Sequence, residues 1–139
     1  MATAKRLKVG ILSANRLLRD TLARLIRQNV EVVCSTSVVQ AGSLSSVADL
    51  ILLDAHHVNR AVFSQLLSEV PNAKIIVINA DWEELDVVRC IRANVVGFVM
   101  TEAAEDVFLA TIHAVNDGQR IIPPAIVATL CDQLCRGEP

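Results

Sequence analysis

The sequence predicts an α/β protein: a doubly wound parallel sheet of five strands flanked by helices, with one extra helix at the C-terminus. Two observations lead there. Short runs of Val, Ile and Leu alternate with longer stretches whose apolar residues recur at helical spacing, the pattern of successive βα units. One of the short runs, Ala48-Asp49-Leu50-Ile51-Leu52-Leu53-Asp54, reads as a buried strand closing on a carboxylate. In an open parallel sheet, ligands and chemistry collect at that C-terminal edge.

Each element has its own signal. Leu7 to Leu12 is the first strand, and Arg16 to Gln28 follows as an amphipathic helix. Leu18, Leu22, Leu25 and Ile26 share one face of that helix, while Arg16, Arg19, Arg24 and Arg27 share the other. Val30 to Cys34 is a second strand rich in β-branched residues. Ser37 to Val47, dominated by Ser, Gly and Gln, predicts only a short or frayed helix. Leu50 to Leu53 is strand three, and Arg60 to Val70 a helix stopped by Pro71. Lys74 to Ile78 is strand four, and Trp82 to Arg92 a helix with Asp81 as its N-cap. Val95 to Met100 is strand five. Glu102 to Asp117 is a helix with acids in its first turn and Gly118 at its C-terminal end. Pro123-Pro124 precedes the last helix, Ala125 to Cys135. The expected division is 1–122 for the sheet domain and 123–139 for the appended helix and tail.

Composition narrows the function. At 139 residues and 53% hydrophobic, the chain suits one domain with a sizeable core. A net charge of -2 gives the domain as a whole no electrostatic footprint for nucleic acid. The apolar runs are too short to span a membrane, and Met1 to Arg6 lacks the apolar core of a signal peptide. A cytoplasmic protein is expected, with Cys34, Cys90, Cys131 and Cys135 reduced.

The order of segments, with Asn15-Arg16-Leu17-Leu18-Arg19-Asp20-Thr21-Leu22, Asp49 to Asp54, Gly97-Phe98-Val99-Met100 and Ala114 to Pro123, resembles a response-regulator receiver domain of the NarL/LuxR type. The resemblance covers nearly the whole chain, from Lys8 to Leu134. It implies a flavodoxin-like (βα)5 sheet of order 2-1-3-4-5, with Asp54 at the phosphoacceptor position. Receiver chemistry also uses two Mg²⁺-binding acids after strand one, a hydroxyl after strand four and a lysine after strand five. Here those positions carry Ser13, Ala14, Asn79 and Thr101. The loop after Asp54, His56-His57-Val58-Asn59, also departs from the usual turn containing Pro and Gly. Without the acids, Asp54 would be the sole charged ligand for Mg²⁺. Without the lysine, a phosphoryl group would add roughly two negative charges with little to offset them. The resemblance is therefore to a degenerate receiver, a pseudo-receiver, with Asp54 retained by descent or because it hydrogen-bonds nearby backbone N–H groups.

Other candidates are weaker. Asp54, His56 and His57 lack a third metal ligand at suitable spacing, so no metal site and no cofactor is expected. Cys131 and Cys135 share a helical face and are expected in the seam with Ile126, Val127, Leu130 and Leu134, an intermolecular bridge or redox role being the alternative. Phe98 stands where active receivers carry a switch aromatic, or is an ordinary core residue. The arginine stripe of the first helix reads as a solvated face, or as a docking face for an acidic partner. Trp82 is a contact residue if exposed and packing if buried.

The resulting expectation is a non-enzymatic module for protein interaction or dimerisation in bacterial signal transduction or transcription control. The resemblance implies pairing through the first and fifth helices or through the fourth and fifth. One alternative is a receiver fragment of a DNA-binding regulator, touching DNA only through an output domain beyond Pro139. A phosphoacceptor with unusual chemistry is a second. A third is a small-molecule sensor whose vacated pocket is lined by Ser13, Asn79 and Thr101.

Overall fold

The computed structural model describes residues 7–28, 30–36, 48–55, 73–80 and 87–136. Strands β1 (Lys8–Leu12), β2 (Glu31–Thr36), β3 (Leu50–Asp54), β4 (Lys74–Ala80) and β5 (Val95–Met100) form one parallel sheet. Their order is β2-β1-β3-β4-β5, as the receiver resemblance implies. The described helices are α1 (Arg16–Ile26), α2 (Val87–Arg92), α3 (Glu105–Asn116) and α4 (Pro124–Cys135). The helices expected over 37–47 and 60–70, the loop 56–59, and Asp81 and Trp82 lie outside the described residues.

Burial on both faces explains why β3 is apolar until its last residue. Leu50 and Leu52 pack with Val9, Ile11 and Ile76 beneath α1 and α3, whose Leu22, Ile26, Phe108 and Ile112 close that layer. Ile51 and Leu53 point the other way, into a cluster with Val77, Val87, Cys90, Phe98 and Ile126. Gly97 lets α3 approach β5: a Cβ there would stand 3.2 Å from Ile76 Cγ1 and 3.3 Å from Thr111 Cγ2.

Helix ends differ from the sequence expectation for identifiable reasons. α3 starts at Glu105 rather than Glu102, because Ala103 N–H turns back to the Met100 carbonyl and Ala104 is extended. Glu105 and Asp106 then occupy the first turn, where the helix dipole favours acids. α3 ends in a Schellman motif. Gly118, at φ +90°, donates to the Val115 carbonyl and Gln119 to that of Ala114. The chain then returns along β5, with Phe98 N–H donating to Ile121 and Ile121 N–H to Val96. α4 opens on Pro124, whose missing N–H costs nothing at the first helical position.

α4 docks on α2, and here the expected packing is corrected. Ile126 is fully buried and Leu130 packs at the margin of its cluster, but Leu134 and Val127 are 53% and 41% exposed. Each step of four residues advances about 40° beyond a full helical turn, so Leu134 has rotated out of the seam that Ile126 occupies. Cys131 and Cys135 are likewise exposed instead of packed in the seam. The residue completing the seam is Gln133. Its Oε1 accepts the Val87 and Val88 N–H groups of α2 at 2.9 and 3.2 Å. We expect Gln133→Ala to lower unfolding stability by about 1 kcal/mol in urea titration, as for lost hydrogen bonds between α4 and α2, and Leu134→Ala to change it by less than about 0.5 kcal/mol.

Candidate functional site

Asp54 closes β3 at the C-terminal edge of the sheet and is 2% exposed. A buried carboxylate must have its oxygens satisfied by protein groups or water. The Ser13 hydroxyl donates to Oδ2 at 2.6 Å, and the Asn79 side-chain amide donates to Oδ1 at 3.0 Å. The first distance is in the short range of charge-assisted O–H···O⁻ bonds.

Ser13 reaches the carboxylate because β1 ends one residue before it, on the strand beside β3. The same Ser13 Oγ accepts the Asn15 N–H at 3.0 Å. Asn15 caps α1 by accepting the Leu18 N–H at 3.1 Å. Arg19 Nη1 returns from the next turn to the Ser13 carbonyl at 2.6 Å. The arginine stripe is thus divided. Arg16, Arg24 and Arg27 are exposed, whereas Arg19 is half-buried and fastens the loop that carries Ser13.

Asn79 arrives by a different device. The β4–β5 register shifts between Ile78 and Ala80, and Asn79 at that irregularity has φ +57°. Asparagine tolerates the left-handed region better than most residues, and a bulge re-aims a side chain at a strand end. The Asp54 bond holds Asn79 in that conformation.

The other pocket positions stand apart. Ala14 and Thr101 are exposed, on either side of the sheet's C-terminal edge. Ser13 and Asn79 use their donors on Asp54, and Thr101 makes no hydrogen bond to this cluster. Phe98 is 1% exposed in the core beside Leu53, Val77 and Cys90. His56 and His57 lie outside the described residues. Among the described residues no group of three or more His, Cys, Asp or Glu could hold a metal ion. Sequence reasoning passed over Asn15 and Arg19 as parts of the site. Asn15 was detectable as a polar residue directly before an amphipathic helix.

Both Asp54 oxygens accept hydrogen bonds from neutral side chains. The positions of the expected acids and lysine carry no charge. Ser13→Ala and Asn79→Ala should each cost about 1–3 kcal/mol by removing one hydrogen bond to a buried carboxylate. Urea denaturation of the Ser13→Ala, Asp54→Ala and double variants should give a coupling of about 1.5–3 kcal/mol for the charge-assisted bond.

Comparison with known proteins agrees with this fold. No protein-family profile and no curated protein matches the chain in sequence. Among solved structures, a LuxR-family two-component response regulator from Aurantimonas sp. SI85-9A1 superposes with a TM-score of 0.67 at 15% identity, over 94% of this chain and 99% of that one. The isolated receiver domain of RcsB from Salmonella enterica serovar Typhimurium, with the phosphomimetic BeF3-, gives 0.68 at 14% identity over 90% and 99%. RcsB in complex with DNA gives 0.72 at 14% identity, over 97% of this chain and 72% of that one. The chain has the flavodoxin-like fold of response-regulator receiver domains, at identities that speak for the fold alone.

Proposed function

We propose that this domain is a pseudo-receiver, a non-enzymatic interaction module of bacterial signal transduction or transcription control that works without phosphorylation of Asp54. The observation that carries the reading is the Ser13–Asp54–Asn79 cluster. The carboxylate that receivers phosphorylate here accepts bonds from two neutral side chains at 2.6 and 3.0 Å. Those bonds tie together the loop into α1 and the end of β4, two segments that border the phosphorylation site in receivers. In this reading the domain is held in one state by hydrogen bonds, and its output is contact with a protein partner or a second copy in the cytoplasm.

The layer formed by α1 and α3 offers a surface for such contact. Leu17 is 73% exposed in the first turn of α1, and Val107 is 50% exposed in the first turn of α3. A cleft of about 180 Å³ lies between the two helices, lined by Ile26, Val30, Leu109, Ile112, His113 and Asn116. One further reading has a specific observation behind it. Superposition on DNA-bound RcsB spans 97% of this chain, including α4, and 72% of that protein. A helix-turn-helix domain in the same polypeptide would make the module the regulatory half of a DNA-binding regulator.

Incubation with Mg²⁺ and a small phosphodonor, followed by intact-protein mass measurement, tests the central reading. The expected outcome is an unchanged mass. A phosphoryl adduct that disappears in Asp54→Ala would refute it.

A further inference from the structure

Half of the large hydrophobic residues exposed among the described residues, Val127 and Leu134, stand on α4. Two exposed free thiols, Cys131 and Cys135, stand on the same helix. At 100° per residue, Val127, Cys131 and Leu134 fall within about 60° of arc, with Cys135 at its border. The side of the helix turned away from the two thiols carries Ile126, Leu130 and Gln133, which anchor it to the core and to the Val87 and Val88 N–H groups of α2. The thiols therefore project from a helix whose last turn is fixed from behind.

The spacing decides which chemistry the thiols suit. Side chains one turn apart on a helix have Cβ atoms about 5–6 Å apart. A disulfide requires roughly 3.5–4.5 Å, so the two cysteines cannot close on each other without deforming the helix. Zn–S bonds of about 2.3 Å at tetrahedral angles place two sulfurs just under 4 Å apart, which thiols leaning toward each other from those Cβ positions can reach. A helix with cysteines four residues apart thus supplies two of the four ligands that a structural thiolate site requires.

We propose that Cys131 and Cys135 form a half-site for a thiophilic divalent cation of the zinc class, completed by the same two residues of a second copy. As the four S–metal bonds form, the four thiols release their protons to solvent. The second copy is the favoured occupant for two reasons. It provides the missing ligands in the required number and type. The stripe beside the thiols is also uncharged, so like meets like without repulsion. A pair of three-turn helices alone covers far less than the roughly 800 Å² per partner of a stable interface, so the pairing depends on the metal. This inference does not rest on the pseudo-receiver reading, and either can fail without the other.

Titration of the full chain with Co²⁺ under a non-thiol reductant, with absorption spectra and sedimentation equilibrium, tests it. One Co²⁺ per two chains is expected, with intense thiolate-to-cobalt charge transfer and a mass twice the 15.1 kDa of the monomer. Cys131→Ser and Cys135→Ser should each abolish the doubling while leaving the thermal unfolding curve unchanged, because both thiols are exposed. The proposal is overturned by one ion per chain at monomer mass, by no binding, or by doubling that survives in the double Ser variant, which retains Cys34 and Cys90.

Discussion

The described architecture depends on how a single buried charge is satisfied at the end of the central strand. Asp54 is carried by β3, the middle strand of the sheet, and is almost fully withdrawn from water. Leaving such a carboxylate without donors would cost several kcal/mol, so neighbouring segments must deliver them. β1 delivers Ser13 through the loop that starts α1, and β4 delivers Asn79 through a bulge. The conformations of both segments follow from that demand. The Asn15 cap, the Arg19 return to the Ser13 carbonyl and the positive φ of Asn79 all hold a donor in place.

In the proposed pseudo-receiver reading, this arrangement gives physical content to the departure from receiver residues. A site built for phosphoryl transfer places positive charge around an available carboxylate, so that the added charge is neutralised. Here the equivalent positions supply a hydroxyl and an amide directed at the carboxylate itself. In that reading such donors stabilise the resting anion and so oppose its use as a nucleophile. The second anchor lies on the opposite layer, where Gln133 of α4 accepts the Val87 and Val88 N–H groups of α2 and Ile126 fills the core. One polar tie therefore serves the α1 side of the sheet and another the α2 side.

Much of the fold was legible because its signals are strong and local. Continuous apolar runs located the strands, and helical spacing located α1 and α3. The alternation of βα units gave the parallel sheet, and the family resemblance its strand order. Asp54 was legible as a residue at a strand end, and Ser13 and Asn79 as its neighbours through the family resemblance. Illegible were features set by long-range geometry. That Ser13 and Asn79 turn onto the carboxylate depends on a register irregularity that no local pattern encodes. Gln133 read as an ordinary polar helix residue, since its partners lie 46 and 45 positions away. Leu134 and the two cysteines were misplaced because i, i+4, i+8 spacing drifts around a helix, so a stripe in the sequence is wider than the seam it can fill.

Amide hydrogen exchange, compared between the native chain and Asp54→Ala, tests most directly whether Asp54 is a structural tie. If it is, the variant loses at least about tenfold protection at the Asn15 and Leu18 amides, which lie at the start of α1, while α3 amides exchange as before. Unchanged protection at the start of α1 would contradict the account, and would return Asp54 to being a residue free for other chemistry.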